Sequence, residues 1–314
     1  MRVTLIHNPG AGDDKQPSRG QLEALIEEAG HEVRYQSVRE KGWAKVLEKK
    51  VDLVAVAGGD GTVGKVARRL IKSGIPIAVL PMGTANNISR SLGIAELSVF
   101  ELIASWSTSR QIRFDTGIAK GPWGERRFIE GVGLGLFTSA IPNIDANETM
   151  AQLNDVEVKL TYTLQLLREH LDRCPSTKVA AKLDGKEISG SYVLLETMLM
   201  QFIGPNLYLA PKTIRDDGLF DVVVVKDEDR RELHGHLENW QEGMLWPAEF
   251  KTQRGEKLEI EWSGFPVHID DKVWAPKDKE KEKEKKKAKD EVIELTVERK
   301  SLEFAVPKHI ETPQ

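Results

Sequence analysis

Cysteine is nearly absent from this sequence: Cys174 is the only one among 314 residues. A disulfide within the chain is therefore impossible, and a cysteine-based zinc site is not expected. Long apolar runs are missing as well, since none approaches the ~20 residues needed to span a bilayer. The N-terminal residues MRVTLIHNPG also lack the pattern of a signal peptide. We expect a cytoplasmic protein whose membrane contact is at most peripheral, at the inner membrane face.

An excess of basic residues is also missing. The chain has 45 Lys and Arg against 49 Asp and Glu, giving a net charge of −4. Nucleic-acid-binding domains are usually strongly basic, so we expect no nucleic-acid partner. Hydrophobic residues make up 40% and charged residues 30%, which is typical of a globular protein. The length favours about two domains.

Short apolar runs alternate with helical patterns through residues 1–117. The run VDLVAVA is apolar on both faces, as a buried parallel strand should be, and the helical segment VGKVARRLIKSG follows it. This alternation predicts an α/β domain with an open parallel sheet covered by helices. From 118 to 299, segments such as GERRFIEGVGLGLF look like strands separated by turns. Two helical patches interrupt them, and the pattern predicts a second, mostly antiparallel β domain.

Residues 277–291, KDKEKEKEKKKAKDE, contain almost no apolar side chain. Such a segment cannot bury a core and is predicted to be a disordered surface loop. Its interleaved acids largely cancel the lysine charge, so contact with an anionic surface is the less favoured interpretation.

The segment GGDGTVG, residues 58–64, crowds glycines between a buried strand and a helix. Glycines let a phosphate approach the backbone, and the N–H groups at a helix start attract that anion. Asp60 would repel a bare phosphate, which indicates a Mg²⁺ between them. A turn that needs glycine only for packing is the alternative. Three glycines, an acid and Thr62 exceed what such a turn requires.

Gly59, Gly61 and Gly64 also form the G-x-G-x-x-G pattern of dinucleotide-binding folds. That fingerprint belongs after the first strand, with an acid ~20 residues further on. Here the pattern follows the third strand, and Gly83 and Thr84 stand where the acid should be. We therefore reject the dinucleotide interpretation.

Two further glycine turns follow predicted strands: HNPGAG after the first and PMGTANN after the fourth. The Thr and Asn side chains of the second turn could be helix N-caps and nothing more. However, all three turns come at carboxyl ends of strands in one parallel sheet, where open α/β sheets bind ligands. The coincidence favours a nucleotide crevice.

These motifs resemble the diacylglycerol kinase-like lipid kinases, which include bacterial diacylglycerol kinases and sphingosine kinases. GGDGT alone is less specific, because NAD kinases and phosphofructokinases carry close relatives of it. The GT-x-N turn and the DDGLFDV segment discriminate toward lipid kinases. The matches recur in family order: Asn8-Pro9 with Gly12, residues 58–62, Pro81-x-Gly83-Thr84-x-Asn86, GVGLGLF, LAPKTIRDDGLFDVVVV and the closing LEFAVP.

The resemblance implies an ATP-binding α/β domain, a β-sandwich domain over residues 118–299, and a C-terminal segment, 300–314, that packs back on the first domain. It implies a lipid substrate at a membrane surface and leaves a homodimer open. It also implies a Mg²⁺ site at the Asp217 carboxylate with the backbone carbonyls of Ile214 and Leu219, and such oxygen ligands suit a hard cation. By matching position, the nucleotide residues are Asn8, Ser37, Gly58, Gly59, Asp60, Gly61, Thr62, Val63, Gly64, Thr84 and Asn86.

The chain departs from the family at Asp270-Asp271-Lys272, where D-G-E is usual and its Glu is the proposed general base. A lysine cannot take a proton from a lipid hydroxyl unless its pKa is strongly depressed. Asp270 keeps the family register. Asp271 is a candidate substitute, although a one-residue shift along a strand reverses the face of a side chain. Lys65 and Asn87 also stand where Glu and Asp are usual.

We therefore predict an ATP- and Mg²⁺-dependent kinase that phosphorylates a hydroxyl of diacylglycerol or a related lipid. Asp60 is the leading functional residue, acting through metal-bridged phosphate or by orienting the nucleophile; Asp270, Asp271 and Lys272 complete the predicted catalytic set. A catalytically degenerate protein that binds nucleotide or lipid without turnover is the first alternative. A relative of the NAD kinases is the second.

Overall fold

A computed structural model describes residues 1–13, 15–244, 246–247, 249–275 and 291–310. The charged segment predicted at 277–291 lies outside the described residues except for Glu291, where a strand begins. The chain divides into two compact units. The first consists of Met1–Phe114, Asn154–Val158 and the described residues from Lys300 onward; the second consists of Asp115–Leu153 and Lys159–Arg299.

The first unit is built on a parallel sheet with strand order β4-β3-β1-β2. A 3₁₀ helix at Trp43–Glu48 and another at Trp106–Thr108 complete it. Its other elements are β1 (Arg2–His7), α1 (Arg19–Glu28), β2 (Glu32–Ser37), β3 (Leu53–Gly58), α2 (Asp60–Leu70), β4 (Ile77–Pro81), α3 (Asn87–Ser91) and α4 (Val99–Ser105).

Burial explains why these elements form where they do. Every residue of β3 is buried, as its doubly apolar sequence requires of a central parallel strand. Helix α2 buries Val63, Val66, Ala67 and Leu70, which lie on one face at helical spacing. Helix α1 begins at a capping box in which the Ser18 hydroxyl accepts from the backbone N–H of Gln21.

The second unit is mostly antiparallel. Strands β5 and β18 and helix α7 each begin in one unit and end in the other along the chain. The elements are β5 (Arg110–Gly121), β6 (Gly124–Phe128), β7 (Gly131–Gly135), α5 (Leu136–Asp145), α6 (Glu148–Gln152), α7 (Val156–Leu171), β8 (Thr177–Leu183), β9 (Lys186–Glu187), β10 (Gly190–Met198), β11 (Phe202–Ile203), β12 (Leu207–Tyr208), β13 (Phe220–Lys226), α8 (Arg230–Gln241), β14 (Lys251–Gly255), β15 (Lys257–Trp262), β16 (Val267–Ile269), β17 (Lys272–Trp274) and β18 (Glu291–Val306).

Strand β13 separates two hydrophobic cores in this unit. Val222 and Val224 belong to a core shared with β8, β15 and the first part of β18. Val223 and Val225 belong to a second core, which contains the buried faces of α5, α7 and α8. Because side chains alternate along a strand, one apolar run fills both cores. The last part of β18 pairs in parallel with β4, with Phe304 opposite Ile77.

The fold class predicted from the sequence is confirmed: an α/β unit on a parallel sheet and a unit of mostly antiparallel strands. One local prediction was wrong. The segment GVGLGLF is not strand throughout, because Gly135 turns at φ +88° and α5 begins at Leu136. Within the described residues, no helix is both long and apolar enough to cross a bilayer.

Candidate functional site

Three turns follow the carboxyl ends of β1, β3 and β4 and lie together in the first unit. The Asn8 backbone N–H donates to the carbonyl of Ala57 (2.9 Å), and the Met82 N–H donates to the carbonyl of Gly58 (3.1 Å). The Asn8 side chain donates to Thr62 Oγ1 at 3.3 Å. The glycine turns predicted from the sequence therefore converge, at the edge of the sheet where open α/β folds bind ligands.

Gly59 and Gly83 bring the turns after β3 and β4 into direct backbone contact. A Cβ atom on Gly59 would lie 2.8 Å from Gly83 Cα, and a Cβ on Gly83 would lie 2.3 Å from Gly59 Cα. Neither glycine has a positive φ. Both positions therefore need glycine for close approach of the two backbones, and any side chain would separate the turns.

Asn86 fixes the turn after β4. Its backbone is left-handed, with φ 55, a conformation that Asn tolerates better than most residues. Its Oδ1 accepts from the Gly83 N–H at 2.9 Å, and its Nδ2 donates to the Gly83 carbonyl at 2.9 Å. The side chain thus closes the turn on itself. A direct contact between Asn86 and nucleotide stays a prediction.

Asp60, the first residue of α2, directs its carboxylate at the start of α3. The Ile88 backbone N–H donates to Asp60 Oδ1 at 2.9 Å. Burial raises the pKa of the Asp60 carboxyl, and donation from backbone N–H groups of residues 86–88 opposes that rise. The Asp60 side chain therefore links the glycine loop to the start of α3 through a hydrogen bond. Its predicted role toward metal or nucleophile remains a prediction.

The start of α2 carries most of the predicted nucleotide residues. Its N-cap is Gly59, which has no side chain to accept from the first N–H groups of the helix. A helix of this length presents a partial positive charge at that end, so an anion is favoured there. Gly58 ends β3, Gly61 lies in the first turn of α2, Thr62, Val63 and Gly64 are buried within that helix, and Thr84 is half-buried between β4 and α3.

Arg39 is a residue of this region that the sequence analysis missed. Its guanidinium lies over Gly10, where a Cβ would fall 1.6 Å from one terminal nitrogen, and its Nε donates to Asn8 Oδ1 at 3.2 Å. The buried Ser37 hydroxyl accepts from the Arg39 backbone N–H at 3.3 Å. Ser37 therefore positions Arg39, which brings a positive charge to the turn after β1. In the sequence, the available indication of this role was that Arg39 lies just beyond the end of a strand.

Asp270 lies in the second unit, at the turn between β16 and β17. Its carboxylate accepts from three backbone N–H groups, those of Ile129 (3.0 Å), Glu130 (2.9 Å) and Gly131 (3.3 Å). Its own N–H donates to the Gly131 carbonyl at 2.8 Å. These bonds anchor the turn to the start of β7, and all three N–H groups donate to the same oxygen, Oδ1. The catalytic role predicted for Asp270 stays a prediction.

Asp271 and Lys272 are exposed beside that anchor. Ile269 pairs with Lys272, so Asp270 and Asp271 form a two-residue hairpin turn. The side chains of both residues are exposed. The catalytic roles predicted for Asp271 and Lys272 stay predictions.

A buried acid–base pair lies directly behind the turn, and the sequence analysis missed it. His268 Nε2 lies 2.9 and 3.0 Å from the two carboxylate oxygens of Glu196, and His268 Nδ1 lies 3.0 Å from the Asp270 carbonyl. In the sheet, Gly133 of β7 is opposite Glu196 of β10 on one side and His268 of β16 on the other. The two side chains meet across the missing side chain of Gly133. A lone Glu in the apolar run VLLETM was the only indication in the sequence.

The residues around Asp217 do not fit the divalent-cation site that the resemblance implied. One oxygen of Asp217 accepts from the Leu219 N–H at 3.0 Å, and the other is paired with the guanidinium of Arg254. A metal ion there would face a positive charge at close range. The roles predicted for the backbone carbonyls of Ile214 and Leu219 stay predictions.

Comparison with known proteins places both units in known families. Residues 2–118 match the diacylglycerol kinase catalytic domain, and residues 140–282 match the YegS C-terminal NAD kinase beta sandwich-like domain. The chain is 27% identical over 240 residues to a diacylglycerol kinase of Bacillus subtilis strain 168, covering 74% of this chain and 76% of that protein. It is 26% identical over 247 residues to a diacylglycerol kinase of Staphylococcus aureus strain bovine RF122, covering 75% and 74%.

A solved structure gives the same result for the fold. The crystal structure of a diacylglycerol kinase from Bacillus anthracis strain Sterne superposes with a TM-score of 0.72 at 19% identity. The superposition covers 99% of this chain and 98% of the other. Together with the glycine turns and the two-unit fold, the matched families lead to one conclusion: the chain belongs to the diacylglycerol kinase-like lipid kinases.

Proposed function

We propose that the protein transfers the γ-phosphoryl group of ATP to a hydroxyl group of diacylglycerol or a related lipid, with Mg²⁺ entering bound to the nucleotide. The observation that carries this proposal is the start of α2, where a glycine N-cap leaves the helix end open to an anion. Because Gly59 contacts Gly83 closely, the backbone of the turn after β4 lies beside the start of α2 with no side chain between them. Arg39 supplies a planar cation suited to phosphate oxygens.

In this proposal the lipid hydroxyl attacks the γ-phosphorus, the bond to the β-γ bridging oxygen breaks, and ADP leaves. Phosphoryl transfer depends chiefly on positioning and charge neutralisation, so a weak base is sufficient. Asp60 acts by holding the glycine loop against α3. Asp271 accepts the hydroxyl proton, because it is exposed in the turn, whereas the neighbouring Asp270 holds three backbone N–H groups on its Oδ1. Lys272 offers positive charge to the transferred phosphoryl group.

A protein that binds nucleotide without turnover is the second candidate. The observation that favours it is the same turn, where Lys272 stands at the family's glutamate position and Asp270 Oδ1 accepts from three backbone N–H groups. A relative of the NAD kinases is the third candidate, and it predicts a different phosphoryl acceptor.

We expect purified protein to transfer label from γ-labelled ATP to a lipid of the diacylglycerol class in mixed micelles containing Mg²⁺. Asp271→Asn should lower this rate by ~10²–10⁴-fold, because it removes the proposed proton acceptor. Asp172→Asn is the matched control, because Asp172 is exposed elsewhere in the same unit. This variant should transfer label at the wild-type rate.

The other outcomes of that assay separate the candidates. Label in NAD instead of lipid would establish the NAD kinase candidate. No label in any acceptor from wild-type protein, but label in lipid after Asp271→Gly with Lys272→Glu, would establish a kinase that has lost its base. Equal rates for wild type and Asp271→Asn would remove Asp271 from the mechanism.

ATP with Mg²⁺ is expected to raise the melting temperature of the protein. Free ATP at about ten times its Kd adds roughly 1.4 kcal/mol of stability. Arg39→Met should weaken ATP binding by roughly tenfold, because a charge-assisted hydrogen bond to phosphate is lost. Arg34→Met is the control, since Arg34 is an exposed arginine on the preceding strand and should leave the shift unchanged. The absence of any shift at millimolar ATP would refute nucleotide binding.

A further inference from the structure

Arg254 occupies an acidic corner of the second unit. Register places it directly opposite Asp221, because β13 and β14 pair in antiparallel fashion with these two residues as partners. Its Nε lies 3.4 Å from Asp221 Oδ2, and a terminal nitrogen pairs with Asp217 Oδ2. One guanidinium therefore serves two carboxylates that come from a strand and from the turn before it.

The carboxylate of Asp221 makes this cation necessary. Its side chain is 1% exposed, and burial raises the pKa of its carboxyl, with the Arg254 charge opposing that rise. A buried carboxylate that loses its partner is strongly destabilising. Arg254 itself is a third exposed, so its charge remains partly solvated while it reaches inward.

The turn that carries Asp217 is held by hydrogen bonds that involve no metal. The Gly218 N–H donates to Asp115 Oδ2 at 2.7 Å, and the Asp115 N–H donates to the Arg215 carbonyl at 2.7 Å. The Leu219 N–H donates to Asp217 Oδ1 at 3.0 Å. Backbone N–H groups and one guanidinium thus take oxygens of the acids that a hard cation would require.

We propose that Arg254 is the resident cation of this corner: its guanidinium supplies the positive charge that a divalent ion at Asp217 would supply, and the turn is stable without metal. The proposal concerns the second unit alone and does not rest on the proposed kinase activity. Any metal dependence of a reaction would then come only from the metal ion that is bound to the nucleotide.

Thermal melting of the full chain without nucleotide tests the proposal. The wild-type melting temperature should be the same in EDTA and in millimolar Mg²⁺. Arg254→Met in EDTA should melt at least about 5 °C lower, because a buried acid loses its partner, and Mg²⁺ should restore part of that loss. Arg254→Lys should remain insensitive to Mg²⁺, since it keeps the charge.

Arg299→Met is the matched control for this effect. Arg299 packs over Gly218 in the same corner but pairs with Glu256, so its loss should create no response to Mg²⁺. A Mg²⁺ response of wild type equal to that of Arg254→Met would overturn the proposal. So would an Arg254→Met protein that stays folded and gains no response.

Binding of Mn²⁺, measured by electron paramagnetic resonance without nucleotide, gives a second readout. Wild type should show no Mn²⁺ site that Asp217→Asn removes, whereas Arg254→Met should gain such a site. If Arg254→Met does not fold, wild type alone decides the question. A Mn²⁺ site in wild type that Asp217→Asn abolishes overturns the proposal, and the lack of such a site supports it.

Discussion

Gly83→Ala is expected to abolish the stabilisation of the protein by ATP and to lower its free energy of unfolding by about 1–3 kcal/mol. The new Cβ would lie 2.3 Å from Gly59 Cα, and the obstacle is backbone rather than a side chain that can rotate away. The turns after β3 and β4 must therefore separate. Melting curves with and without ATP and Mg²⁺ measure both effects.

The loss of ATP binding follows from where the turns move. Separation would pull the start of α2 away from the turn after β4, and it would strain the bond from the Ile88 N–H to Asp60. The proposed phosphate cradle depends on this spacing, and a misplacement of about 1 Å can remove most of the benefit of positioning. Gly59→Ala should act in the same direction, since its Cβ would lie 2.8 Å from Gly83 Cα.

Gly20→Ala is the matched control for these substitutions. A Cβ on Gly20 meets nothing within 4 Å, and the residue lies in helix α1, where alanine is favoured over glycine by about 0.5–1 kcal/mol. This variant should be as stable as wild type or more so, with an unchanged ATP shift. A normal ATP shift in Gly83→Ala would show that the contact with Gly59 plays no part in nucleotide binding.

The architecture of the first unit could be predicted because its local patterns agree with one another. Strand β3 is apolar on both faces, and α2 follows it with helical spacing of buried residues, so the period of the sequence changes where the structure changes. The glycine turns were predictable for the same reason. Their position after strands fixes the sheet edge at which they meet.

Helix α5 could not be predicted in this way, because its sequence carries conflicting patterns. Three glycines precede it at alternate positions, which looks like an extended strand, and Pro142 lies inside it. The helix forms because Gly135 reverses the chain and because Leu136, Phe137 and Ala140 enter the second core. Tertiary burial outweighs local propensity here.

The contacts of the candidate site residues were beyond the sequence for a different reason. Asp60 receives its hydrogen bond from a residue 28 positions away, and the His268–Glu196 pair spans 72 positions. Arg254 meets Asp221 only through the register of β13 and β14. A sequence identifies an acid between glycines, but whether that acid binds a metal, a backbone or an arginine depends on which strands become neighbours.

Glu196→Ala is expected to lower the free energy of unfolding by about 3–5 kcal/mol, the usual result of breaking a buried charged pair. Both side chains are essentially inaccessible, at 0% for Glu196 and 3% for His268. The loss should extend to the hairpin turn of Asp270 and Asp271, because His268 Nδ1 contacts the Asp270 carbonyl. Chemical denaturation of wild type and variant measures the difference.

Gly133→Ala should also disturb the Glu196–His268 pair. Its Cβ would fall 2.0 Å from Glu196 Oε1, inside the space where Glu196 and His268 meet. The carboxylate cannot swing into solvent, since it is buried, so the pair must separate or β7 must shift. Gly235→Ala is the control, since a Cβ at Gly235 meets nothing within 4 Å. Gly185→Ala is unsuitable, because Gly185 has a positive φ.

The pair also predicts how stability depends on pH. Burial raises the pKa of Glu196, with His268 opposing the rise; burial alone would lower the pKa of His268, but the Glu196 carboxylate raises it above its ordinary value. The folded pair therefore keeps a proton that an unfolded histidine releases near pH 6.5. Stability must fall as the pH rises above about 6.5 toward the folded pKa of the pair, because the folded state then binds more protons than the unfolded state.

Glu196→Gln separates this charge effect from packing. Glutamine keeps the shape of the side chain and can still bond to His268, so its cost should be smaller than that of Glu196→Ala. Without the carboxylate, however, burial leaves His268 neutral, and the decline in melting temperature above about pH 6.5 should flatten. If the decline is equally steep in wild type and in Glu196→Gln, some other group causes it, and the pair across Gly133 contributes shape rather than a shared proton.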